Sequence, residues 1–106
     1  MFVNGAFYKE HVTFRDGEGE GYGKATYRRT GEPFLADAQP YSPAAAKREY
    51  GLNDDSVRYK AFTVRRSLKT GDYVRYTKTR EHLVVLMVHE WENHTQLILG
   101  AVKGVG

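Results

Sequence analysis

The sequence predicts a mainly β fold: a small β-barrel or strongly bent antiparallel sheet of about six to seven short strands, with one short helix in a central insert. Three observations predict it. Apolar and polar residues alternate in short runs, and turn-forming residues recur at the eight-to-twelve-residue spacing of all-β domains. Only one stretch, around SPAAAKREYG, carries both helix-start and helix-stop residues. The stretch HLVVLMVHEWENHTQLILGAV, residues 82–102, reads as an antiparallel hairpin on which the other strands must build. So many short strands in one sheet curl or close.

Residues 83–88 of that hairpin are an unbroken apolar run rich in β-branched side chains. The run is too short to span a membrane and has no polar stripe at helical spacing, so it reads as a strand buried on both faces. Glu90, Trp91, Glu92, Asn93 and His94 interrupt it. The next strand places Leu97, Leu99 and Ala101 on one face, and Gln96, Ile98 and Val102 on the other.

The earlier elements follow in order. Met1 to Phe7 reads as a lead with an Asn4-Gly5 turn, and HVTFRD as the first strand, with Val12 and Phe14 sharing a face. DGEGEGYG reads as a mobile acidic hairpin loop. Asp16, Glu18 and Glu20 would repel phosphate, and no Walker-type lysine and helix follow. KATYRR is a strand, Thr30-Gly31-Glu32-Pro33 a turn, and FLADAQ a strand with Phe34, Ala36 and Ala38 on one face. Pro40 ends that strand or holds it at a sheet edge.

Ser42 is suited to cap the helix, Pro43 to occupy its first position and Gly51 to terminate it. At about two turns, such a helix needs tertiary or intersubunit contacts to persist. Leu52 to Ser56 is a turn. VRYKAFTV follows, with Arg58, Lys60, Phe62 and Val64 on one face and Val57, Tyr59, Ala61 and Thr63 on the other. A connection ends in a Gly71-Asp72 turn, and the next strand carries Val74 and Tyr76 on one face before Thr79-Arg80-Glu81 turns back. The tail Lys103-Gly104-Val105-Gly106 is expected to be loose without a neighbour.

At 106 residues the chain has the length of a single domain, residues 1–106, with no repeat or linker to divide it. Leu, Ile and Phe are sparse, while Gly (11) and Tyr (8) are abundant, which gives a thin core and side chains suited to half-wet surfaces. Cysteine is absent, which excludes disulfide scaffolds, cysteine zinc sites and thiol catalysis, and fits a reducing compartment. No signal peptide or membrane span is read, so the expected site of synthesis is the cytoplasm.

The net charge is only +3, but it is unevenly placed: residues 1–56 carry 7 basic and 9 acidic groups, residues 57–106 carry 9 and 4. Arg58, Lys60, Arg65, Arg66, Lys69, Arg75, Lys78 and Arg80 fall in one segment with only Asp72 against them. Such a segment is either a solvated surface or a face turned toward a polyanion or an acidic protein. His89 and His94 flank a turn at a spacing that matches no zinc motif. No nucleophile elbow or paired-acid motif is present. The chain is therefore read as non-enzymatic, with no metal and no cofactor. Trp91, among polar neighbours, is expected to anchor an interface.

The order of pieces resembles the head-completion, or stopper, proteins of long-tailed bacteriophages and related prophage elements. The resemblance is carried by Val12-Thr13-Phe14 before a flexible loop, by the A-x-x-Q-P-x-S stretch of Ala36, Gln39, Pro40 and Ser42, and by a short insert. A Gly71-Asp72-Tyr73-Val74 strand and a final hairpin ending in L-I-L-G and K-G complete it. It implies a β-barrel subunit of a virion neck ring, hexamer or dodecamer, made in the bacterial cytoplasm. It implies docking to the portal–adaptor complex above and to tail-completion or tail-terminator proteins below, around a channel for packaged double-stranded DNA. It also implies that the insert at 43–56, with Pro43, Lys47, Arg48, Tyr50, Asn53, Asp54 and Asp55, can close the channel. Two alternatives stand beside it. One is a small SH3-like or OB-like nucleic-acid-binding module, in which Tyr59, Tyr73 and Tyr76 stack on bases. The other is a different neck protein, such as a tail-completion protein.

Overall fold

Six antiparallel strands close into a barrel, with a seventh strand added outside the ring, in a computed structural model that describes residues 5–16, 23–65 and 67–102. In chain order the elements are β1 (Gly5–Asp16), β2 (Gly23–Arg29), β3 (Phe34–Pro40), α1 (Pro43–Tyr50), β4 (Val57–Thr63), β5 (Tyr73–Tyr76), β6 (Glu81–Glu90) and β7 (Thr95–Ala101). Residues 17–22 of the expected acidic loop at 16–23, residues 1–4 of the expected lead at 1–7, Arg66 and the tail at 103–106 lie outside the described residues.

The ring runs β1-β3-β4-β7-β6-β5 and returns to β1. The first strand makes this closure possible. Gly5 to Phe7 pair with β3, Phe7 to Glu10 pair with β5, and Glu10 to Asp16 pair with β2. The strand therefore begins at Gly5 rather than at His11, and Gly5 pairs with Ala36 of β3. Closure removes the open edges that a sheet of short strands would otherwise expose.

Alternation fills the interior. Phe7, Phe34, Ala36, Ala38, Ala61, Leu68, Val74, Tyr76, Leu83, Val85, Leu97 and Leu99 are buried there. The Phe7 ring stacks on Tyr76 at 4.3 Å and lies 5.8 Å from Phe34. Small residues leave room for these rings: a Cβ on Gly5 would come within 2.5 Å of the Tyr76 ring.

A second cluster lies on the outer wall, where Ala46, Val57 and Ile98 are buried with Tyr41, Tyr50, Leu52, Leu86 and Met87 around them. Two register shifts build it. One between Val57 and Tyr59 sends Val57 outward, away from Tyr59 and Ala61, with which simple alternation had grouped it. The other, between Val85 and Met87, turns both Leu86 and Met87 toward the helix. The unbroken apolar run thus meets the barrel interior through Leu83 and Val85, and the helix through Leu86 and Met87.

The helix forms where its caps predict. The Ser42 Oγ accepts from the Ala45 amide at 3.0 Å, Pro43 sits in the first turn, and Gly51 ends the helix at φ +68°. Lys47 and Arg48 lie in the last turn, where cations suit the helix dipole.

Candidate functional site

The insert at 43–56 is fastened to the barrel wall. Ala46, fully buried, presses the helix onto Val57 and Ile98. Gln96 of β7 donates to the Tyr50 hydroxyl at 2.6 Å, and Tyr41 donates to Glu49 at 2.6 Å. Burial, and then that bond to Glu49, push the Tyr41 phenol well above its ordinary range. Asp54 accepts from both the amide and the hydroxyl of Ser56, at 2.9 and 2.6 Å, which fixes the turn into β4. Lys47, Arg48, Asn53 and Asp55 face solvent, whereas Pro43, Tyr50 and Asp54 are half-buried.

Lys60 belongs to this assembly. Its Nζ lies 5.2 Å from the Tyr41 ring, 5.4 Å from Tyr50 and 5.8 Å from Phe62, with a Glu49 oxygen at 4.0 Å. An ammonium among three aromatic rings gains cation–π attraction and stays close to its carboxylate. Lys60 is thus a pin beneath the helix and not part of an open basic face.

The other basic residues do not share one face either. Arg58 is exposed on β4, and Arg65, beyond the same strand, holds its guanidinium 5.4 Å from the Phe34 ring. Arg75 lies on β5, and Lys78 and Arg80 are exposed in the turn that follows. In the closed ring, β4 and β5 are three strands apart in either direction, so these groups sit on opposite walls. Lys69 is exposed in the connection between the two strands. Contiguity in sequence became dispersal in space because the chain crosses the barrel between residues 63 and 73.

Tyr59 and Tyr76 are likewise unavailable for base stacking. Their rings meet edge to face inside the barrel at 5.3 Å, and Tyr59 donates to Glu81. Burial raises the pKa of both phenols, with the Glu81 charge adding to it. Tyr73 is half-buried.

Trp91 stands exposed at the β6–β7 tip. It stacks on the His89 ring at 4.2 Å and lies 6.1 Å from that of His94, while His94 is 5.9 Å from Phe62. Below this ladder of rings, Asp37, Phe62, Asn93 and His94 line an open cleft of about 410 Å³.

Sequence reasoning missed one further constellation. Glu10, nearly fully buried, lies 2.7 Å from His82 Nδ1, and Tyr27 stacks on the His82 ring at 3.5 Å. A carboxylate that orients an imidazole resembles two members of a hydrolytic triad. Here the imidazole is covered by Tyr27, and the contact fastens β2 over the barrel. Among the described residues, no group of three or more His, Cys, Asp or Glu is placed to hold a metal ion. Among them, too, no helix is long and apolar enough to cross a membrane.

No protein-family model matches the chain, and no curated protein matches its sequence. The site therefore stands on its own geometry. Its features are a helix pinned to one wall, an aromatic tip beside the cleft lined by Asp37, Phe62, Asn93 and His94, and basic groups spread around the barrel.

Proposed function

We propose that the chain is a head-completion, or stopper, protein of a long-tailed bacteriophage or related prophage element. It joins a ring between the portal–adaptor complex and the tail, closes the channel and retains packaged DNA. The observation that carries the reading is the insert. The Gln39-Pro40-x-Ser42 stretch ends β3 and caps α1, so the resemblance and the fold coincide where a short helical insert interrupts a closed barrel.

Other features support it. The three exposed large apolar side chains among the described residues, Leu35, Val64 and Trp91, lie at strand ends or loops, where a neighbouring subunit has access to them. Basic groups on several walls suit weak, sequence-blind contact with DNA in a passage better than a dedicated binding groove. The reading assigns the protein no catalysis.

Two measurements test it. Co-sedimentation with purified portal–adaptor complex is expected to recover the chain in stoichiometric amount, and no recovery counts against the reading. A filter-binding titration of the isolated chain against salt is expected to show weak DNA binding. Tight, steeply salt-dependent binding would favour a nucleic-acid-binding module instead.

A further inference from the structure

We propose that the cleft lined by Asp37, Phe62, Asn93 and His94 binds a guanidinium group, either of a small organic cation or of an arginine side chain in a peptide. The chemistry of the cleft carries this independently of the ring reading.

The cleft is built on the barrel wall. Asp37 sits directly opposite Phe62 across the β3–β4 pairing, and His94 immediately precedes β7, the next strand around the ring. Asp37 alternates with the buried Ala36 and Ala38, and Phe62 with the buried Ala61 and Thr63, so both side chains stand on the outer face. The Trp91 amide donates to the His94 carbonyl at 2.7 Å and closes the turn that carries Asn93. The volume of about 410 Å³ suits a small ligand or a single long side chain.

The polar atoms select a donor-rich cation. The Asp37 carboxylate only accepts hydrogen bonds, and its charge turns away phosphate and other anions. Gln39 donates to its Oδ2 at 3.4 Å, one long bond to a group that can accept about four. Among the described residues, no Lys or Arg lies within ion-pair distance of Asp37. His94 Nδ1 lies 2.8 Å from Asn93 Oδ1, an oxygen that can only accept, so Nδ1 carries the proton and the neutral ring keeps Nε2 as an acceptor. The Phe62 and His94 rings, 5.9 Å apart and tilted by 56°, add π faces. A guanidinium is flat, so it can stack on a ring while donating in its own plane to a carboxylate.

The same wall answers this chemistry once from within. Lys60 Nζ lies over the Tyr41, Tyr50 and Phe62 rings with a Glu49 oxygen at 4.0 Å. Arg65 lies over Phe34, and Arg29 over Tyr8. The cleft offers the same combination of rings and a carboxylate. Lys60 approaches its Phe62 ring, but the carboxylate partner of Lys60 is Glu49 and not Asp37.

Trp91, the sole tryptophan, lies 6.1 Å from His94 and reports binding by its fluorescence. The probes for the full chain are N-ethylguanidinium, a blocked alanine–arginine–alanine peptide and its citrulline counterpart. The arginine peptide is expected to shift the amide resonances of Phe62, Asn93 and His94. It is expected to bind about tenfold more tightly than the citrulline peptide, which keeps the shape and loses the charge. Asp37→Asn is expected to weaken binding about tenfold and Phe62→Leu about threefold, while Phe62→Tyr retains it. Glu92→Gln, which removes an acid from the same tip, is expected to leave binding unchanged. Unchanged far-ultraviolet dichroism and melting show that the variants fold, and the citrulline comparison needs no variant. N-ethylguanidinium binding as tightly as the arginine peptide would assign the cleft to small cations; a preference for the peptide would assign it to polypeptide arginines. No binding of either, equal affinity for the citrulline peptide, or undiminished affinity in Asp37→Asn would overturn the proposal. So would equal losses in Asp37→Asn and Glu92→Gln, which would show only diffuse attraction to the tip.

Discussion

Glu10 and His82, 72 residues apart in sequence, meet at 2.7 Å across the intervening strand β5. The carboxylate side chain is 2% exposed and the imidazole 26%. Tyr27 of β2 stacks on that imidazole, so the pair ties the seventh strand to the closed barrel. His82→Ala removes the carboxylate's hydrogen-bond partner and Tyr27's stacking surface. It is expected to cost about 1.5–3 kcal/mol in urea denaturation. An effect below about 0.5 kcal/mol would show that the contact carries no stability.

Alkaline pH should loosen the fold through its phenols. Tyr27, Tyr41, Tyr59 and Tyr76 are all raised above the ordinary value of 10.0, in each case first by burial. Below that value both folded and unfolded chains keep these protons, and the stabilisation is complete. Above it the unfolded chain releases protons that the folded chain retains, so stability falls as pH rises through the raised values. Urea midpoints measured across that range are expected to decline, and Tyr41→Phe to make the decline shallower.

Thr95 begins β7 with its Oγ1 buried and without a hydrogen-bond partner. Thr95→Val keeps the shape and removes a desolvated hydroxyl. It is expected to stabilise the chain by about 1 kcal/mol, read as a higher melting temperature.

Lys60→Met separates two roles for the same side chain. If Lys60 pins the helix, the substitution costs about 1 kcal/mol and speeds amide exchange in residues 44–50. DNA affinity should then be unchanged. A fall in DNA affinity with no change in exchange would make Lys60 a DNA contact and not a pin for the helix.

What was legible in the sequence was local. Ser42, Pro43 and Gly51 fix α1 because capping acts within a few residues. Phe34, Ala36 and Ala38 reveal β3 because alternation directly reports which face is buried. What was not legible depends on pairing between distant segments. Nothing in Gly5-Ala6-Phe7 shows that these residues pair with β3 and β5 to close a ring. The shift between Val57 and Tyr59 leaves no mark in the alternation of VRYKAFTV. Lys60 reads as one more cation in a basic run until α1 folds over it. Glu10 has no visible partner in the sequence, because His82 is brought to it only when β5 pairs with both β1 and β6.

The central claim is that this barrel works as one subunit of a ring around a DNA channel. Electron microscopy of the purified chain mixed with portal–adaptor complex tests it most directly. The account predicts an added layer of density beneath the adaptor, with rotational symmetry and the residue 43–56 insert facing the axis. Particles indistinguishable from portal–adaptor alone, with the chain left as free monomer, would contradict it.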